Sequence, residues 1–193
     1  MGFKKILKKA WHFIWKDDSI WSWIVNIIIA FILVKFVVYP GLGALLDTGY
    51  PVVAVVSKSM EHNSKFDEWW NRAGSWYTNE GISETMFRDY TFKNGFNMGD
   101  VMVLRGEDIE DIKLGDVIVF RSVTANPIIH RVVKVYEDNG EIFLQTKGDN
   151  NGGVSHDLGE DKIGEDRLIG RAFFRIPLVG WIKIIFSDLI GGM

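Results

Sequence analysis

From Ile20 to Tyr39 the chain reads IWSWIVNIIIAFILVKFVVY, and only Ser22, Asn26 and Lys35 in that run are polar. Twenty helical residues rise about 30 Å, the thickness of the hydrocarbon core of a bilayer. The run is apolar all round, unlike the one-sided stripe of a helix resting on a soluble core. It therefore predicts a transmembrane helix over residues 20–39, broken after Pro40 by Gly41 and Gly43. A cleaved signal peptide begins in a similar way, but its apolar region is shorter. The preceding segment, 1–19, carries Lys4, Lys5, Lys8, Lys9 and Lys16 against Asp17 and Asp18. Lys and Arg gather on the cytoplasmic side of a membrane span. The expected topology is thus a basic cytoplasmic N-terminus and a single pass through the cell membrane, with the remaining chain extracytoplasmic. Trp11, Trp15, Trp21 and Trp23 fit an aromatic belt at the inner boundary, and Lys35 can snorkel to the outer one.

Composition limits what the chain beyond the span can be. The 193 residues have a formal net charge of −3, which argues against a nucleic-acid partner. There is no cysteine, so disulfide scaffolds, thiolate catalysis and cysteine-held metals are excluded. After Pro40 short β-branched runs appear: Pro51–Val56, Val101–Leu104, Val117–Ser122, Ile128–Tyr136, Ile142–Thr146 and Leu168–Arg175. Turn-forming Gly, Asp and Asn separate them. This predicts a mainly β fold, a curled or partly closed antiparallel domain over 40–177 behind the one N-terminal helix. Residues 66–96 form an aromatic insert without strand alternation, with a short helix expected near Ser83–Tyr90. Its Trp69, Trp70, Trp76, Tyr77 and Phe87 suit either a flap packed on the β domain or a membrane contact. The tail 178–193 is apolar but too short to span, and reads as an interfacial helix or one packed on the domain.

Four histidines are present, at 12, 62, 130 and 156. Ser59 comes just after the first strand-like run, and a serine needs a base within hydrogen-bond reach to become a nucleophile. His12 falls on the other side of the membrane under this topology. His62 lies only three residues from Ser59, and a base held on a second rigid element is better placed. His130 interrupts an apolar strand, where a polar side chain has either a task or a buried partner. Beyond the turn Lys147-Gly-Asp149-Asn-Asn151 comes Asp157, a carboxylate that could orient a histidine.

Taken in order, Ser57-Lys-Ser59-Met60, Leu114-Gly-Asp-Val-Ile-Val-Phe120, Ile129-His-Arg131-Val and Thr146-Lys-Gly-Asp149-Asn-Asn151 resemble type I signal peptidases from the anchor to Gly180. Bacterial members pair serine with lysine, whereas His130-Arg131 is similar to the archaeal and endoplasmic-reticulum branch. The length of the insert suggests an archaeal source. The resemblance implies a serine endopeptidase that removes signal peptides from secreted preproteins, in contact with membrane lipid and the secretion machinery. It assigns Ser59 as nucleophile, His130 as general base, Asp157 as acidic partner with Asp161 as its rival, Asp149 as a further required acid, and Ser57 as an oxyanion donor. It implies no cofactor, and no ligand spacing suggests a metal. The family often has Pro two residues after the Met, where this chain has His62. The contrasting expectation is a non-catalytic, membrane-anchored β interaction domain.

Overall fold

The structure is a computed structural model that describes residues 2–124 and 126–181. It divides into two compact units, Met1–Leu45 and Leu46–Met193. The first unit is helical. Helix α1 spans Phe3–Lys16 and α2 spans Ile20–Leu33, with Ser19 capping α2 by accepting from the Ser22 N–H at 3.3 Å. A π-helical turn, Val34–Val38, and helix α3, Tyr39–Leu45, continue α2 without a break. The apolar rod therefore runs over Ile20–Leu45, 26 residues, and is long and apolar enough to cross a membrane.

The helix thus passes through Pro40, Gly41 and Gly43 instead of ending there, and the π-turn explains why. A proline lacks the N–H and its ring collides with the carbonyl four residues back. Here the chain is already widened to five-residue spacing, with the Tyr39 N–H bonded to Val34 O. Such a bulge absorbs a proline inside a continuing helix.

The second unit is built on a six-stranded antiparallel sheet in the order β1-β2-β6-β3-β4-β5. The strands are β1 Val52–Ala54, β2 Val101–Arg105, β3 Val117–Arg121, β4 Pro127–Asp138, β5 Glu141–Lys147 and β6 Leu168–Ile176. Each coincides with one of the β-branched runs. The sheet is not closed, because β1 and β5 stand at opposite edges and do not pair. Closure is unnecessary at the β5 edge, which segment 160–163 covers. Leu144 and Ile163 exchange both backbone bonds at 2.9 Å, and the Thr146 N–H bonds to Glu160 O at 2.9 Å. Edge strands left bare invite pairing with another chain, and a covering segment removes that liability. The outer edge of β1 has no such cover among the described residues.

Residues of the insert form helices α4, Phe66–Asn79, and α5, Glu84–Asp89, the latter where a short helix is expected. Helix α4 has no counterpart in the sequence reading, although Phe66, Trp69, Trp70, Ala73 and Tyr77 keep helical spacing. These residues pack with Ile82, Phe87 and Val133 into a cluster on one face of β4. The rings turn inward, with Trp69 and Phe87 at 5.0 Å between centroids. Trp69, Trp70, Tyr77 and Phe87 are buried and so are not presented to a bilayer; Trp76 is half-buried. The flap covers one face of β4 while Ile118, Phe120, Val132 and Leu144 fill the other side. Burial on both faces explains why His130, Arg131, Val132 and Val133 are all inside. Trp69→Ala should cost about 3–5 kcal/mol, the usual loss for a buried large aromatic, read as a fall in the urea midpoint. The tail reading falls mostly on 182–193, outside the described residues.

Candidate active site

Ser59 lies on the turn just after β1, and three contacts hold that turn against Gly148–Asn151. The Asn150 N–H donates to Ser59 O at 2.7 Å and its side-chain amide to Lys58 O at 3.1 Å. Met60 is fully buried, and its Sδ accepts from the Asp149 N–H at 3.3 Å. Gly148 is required by close approach. A Cβ there would lie 2.8 Å from His130 Nε2, 2.8 Å from Ser59 O and 2.7 Å from Asn151 Nδ2. The motif residues Ser59, Met60, Gly148, Asn150 and His130 thus converge from three segments.

Ser59 and His130 line one cleft of about 350 Å³, with Ala54, Val56, Ile129 and Asn151 among its walls. Ser59 Oγ is 3.0 Å from Ser57 Oγ, either of which can donate. The serine and His130 are not hydrogen-bonded to each other; free sites commonly show such pairs loose before substrate arrives. His130 Nδ1 contacts Glu160 Oε1, and both residues are buried. Glu160 Oε2 also accepts from the Ser155 N–H at 2.7 Å. A proton on Nδ1, donated to this carboxylate, leaves Nε2 as the ring nitrogen able to accept one.

The residue against His130 is Glu160, not Asp157 or Asp161. The 3-10 turn His156–Leu158 ends at Gly159 in the left-handed region, φ 66°, and this reversal brings the next residue inward. Asp157 is left exposed on the outer side of that turn. Asp161 pairs with His156, 3.1 Å away at the surface. Three acids lie within five residues here, and the loop has no periodicity from which to tell them apart.

Asp149 and His62 belong to a second assembly, centred on Arg131. Neighbours along a strand point to opposite faces, so Arg131 faces away from His130. It is fully buried, and all five of its N–H groups donate. Nε and Nη2 reach the two Asp149 oxygens at 2.9 and 2.8 Å. The rest reach Thr91 O, Gly115 O and Phe92 O, each at 2.9 Å. Asp149 also accepts from Tyr77 OH at 2.9 Å and lies 2.9 Å from His62 Nε2. His62 stacks on Trp69 at 3.7 Å. Burial would raise the Asp149 carboxyl, but Arg131 and the His62 hydrogen bond outweigh it and hold it well below the carboxylate range. Burial and the Asp149 carboxylate push the Tyr77 phenol well above its ordinary value. Asp149 therefore anchors its turn to the aromatic flap. The sequence alone picks out none of Arg131, His62 and Tyr77 for this part. His130-Arg131 is visible there as a pair on an expected strand, where neighbours point apart, but nothing local shows what Arg131 meets on its side.

Lys147 lies beside this assembly, its Nζ donating to Gly148 O at 2.9 Å and lying 4.7 Å from the Tyr77 ring centroid. Burial lowers its ammonium to about 8, against the opposing pull of Asp149 and Glu160. An unfolded lysine titrates near 10.4, so between about pH 8 and 10.4 the unfolded chain binds more protons and this residue makes stability rise with pH. Lys147→Met should flatten that part of a stability–pH curve. No cluster of His, Asp or Glu suited to a metal ion occurs among the described residues.

No family model matches the chain. Among curated proteins, the signal peptidase complex catalytic subunit SEC11C of Homo sapiens is 38% identical over 98 residues, 48% of this chain and 51% of that protein. The chain spans about half the length of these SEC11C relatives. The SEC11 subunit of Colletotrichum graminicola is 28% identical over 158 residues, 79% of this chain and 73% of that protein. That of Neurospora crassa is 27% identical over 160 residues, with the same coverage. These relatives are eukaryotic, so the archaeal source expected from the insert is not supported. The chain is a homologue of signal peptidase complex catalytic subunits, the branch of type I signal peptidases to which the His130-Arg131 motif points.

Proposed function

We propose that this chain is a membrane-anchored serine endopeptidase that removes N-terminal signal peptides from preproteins. The observation that carries the reading is the cleft shared by Ser59 and His130, with His130 Nδ1 turned to the buried Glu160. Ser59 Oγ attacks the scissile carbonyl while His130 Nε2 takes its proton, and Glu160 stabilises the resulting imidazolium. The oxyanion is met by the Ser59 backbone N–H and Ser57 Oγ. His130 then returns the proton to the leaving amine, and water activated by the same base hydrolyses the acyl-enzyme. An extended substrate pairs with the free edge of β1. The cleft walls Ala54, Val56, Ile128 and Leu158 are apolar and suit the small side chains that precede such a cleavage.

Helix 20–45 anchors the enzyme, with the basic N-terminus in the cytoplasm and the catalytic unit outside. Cleavage of a model preprotein in membranes tests the proposal. Wild type should release the mature chain and Ser59→Ala should not; equal processing by both would refute it. Protease added to the outer face should digest the chain beyond residue 45 and spare Lys4–Lys16.

A further inference from the structure

Helix α1 lies outside this chemistry and is two-faced. Phe3, Ile6, Leu7, Ala10, Phe13 and Ile14 fall on one side of a 3.6-residue helix. Lys4, Lys5, Lys8, Lys9, His12 and Lys16 take the other. Trp11 lies on the margin between the faces and Trp15 just inside the basic side, their rings 5.6 Å apart. No residue of α1 is buried, and Trp11 and Trp15 are 64% and 68% exposed. Within its own helical unit, no described residue buries that apolar side.

The second observation concerns two polar residues inside the apolar rod. The last four carbonyls of a helix have no partner within it. Ser22 Oγ donates to Phe13 O at 2.5 Å, and Asn26 Nδ2 donates to Ile14 O at 2.9 Å. Ser22 is wholly buried. The two side chains of α2 therefore satisfy two of the C-terminal carbonyls of α1, which are costly to leave unpaired in hydrocarbon. They also fix α1 to the end of the rod through side chains, beyond the short link Asp17–Ser19.

We propose that α1 is an in-plane membrane helix that binds anionic lipid headgroups, hooked to the spanning helix by Ser22 and Asn26. Its apolar side enters the headgroup–acyl boundary, its lysines meet lipid phosphates, and the two tryptophans mark the waterline. The charge selects the occupant: each lysine close to an anionic leaflet strengthens binding by about fivefold. The inference rests on α2 spanning a bilayer, and the test reads that separately.

The chain has no cysteine, so single spin labels can be placed cleanly. Ala10→Cys reports the apolar side of α1, His12→Cys the basic side, and Ile29→Cys the rod. Full-length protein is reconstituted in phosphatidylcholine vesicles and in equimolar phosphatidylcholine and phosphatidylglycerol. With anionic lipid, the Ala10 label should collide with oxygen and be shielded from aqueous nickel, while the His12 label remains nickel-accessible. Changing Lys4, Lys5, Lys8 and Lys9 to Gln should abolish the difference between the two lipid mixtures. Replacing Ser22 with Ala and Asn26 with Leu together should raise the nickel accessibility of the Ala10 label. An Ile29 label in the bilayer core with Ala10 and His12 labels equally wet would overturn the inference and leave the span intact. Indifference of the native lysines to anionic lipid would overturn it too, pointing to a protein partner for this face. An Ile29 label outside the bilayer would refute the span itself, and α1 as a membrane helix with it.

Discussion

Glu160→Gln should lower kcat for preprotein cleavage by about 10⁴, with KM little changed. A neutral amide in place of the orienting carboxylate costs about that much in the Ser-His-Asp template, because the imidazole loses its tautomer and its countercharge. Glu160 touches His130 Nδ1 and is itself held by the Ser155 N–H, so the loss should fall on the chemical step rather than on binding. Asp157→Ala and Asp161→Ala should leave kcat unaltered, since the first carboxylate is exposed and the second pairs with His156. Circular dichroism should show the three variants equally folded. An active Glu160→Gln alongside a dead Asp157→Ala would return the role to Asp157.

Arg131→Met should cost about 3–5 kcal/mol of stability, the loss expected when one partner of a buried ion pair is removed. The change strands the Asp149 carboxylate and leaves Thr91 O, Phe92 O and Gly115 O without their donor. Adding Asp149→Leu should recover part of the loss, because the uncompensated charge goes with it. Urea unfolding in detergent of Arg131→Met, Asp149→Leu and the double variant, monitored by tryptophan fluorescence, gives the three values from which the coupling follows. Acid should act on the same pair. The Asp149 carboxyl titrates lower in the folded state than the unfolded value of about 3.9. Its contribution is therefore present above about pH 3.9 and is lost as the pH falls below that. Asp149→Asn should remove that part of the acid dependence.

The apolar rod is legible in the sequence because twenty residues that are apolar all round give a long apolar helix, and the strands because β-branched runs between turn residues leave little choice. Ser59 and His130 are singled out in the sequence only through the ordered set of motifs that resembles type I signal peptidases, and the structure brings both to one cleft. Local information ends where the chain has to cross itself. The insertion of β6 between β2 and β3, the opening of the sheet and the cover over the β5 edge are long-range pairings that no run encodes. The passage of the helix through Pro40 depends on a π-turn set one turn earlier. Ser22 and Asn26 can be seen as polar interruptions, but their use requires the carbonyls of a neighbouring helix to arrive beside them. Which acid lies beside His130 is decided only in three dimensions. Asp157, Glu160 and Asp161 are chemically alike, and a left-handed Gly159 at the end of one short turn brings only Glu160 into the buried space beside His130.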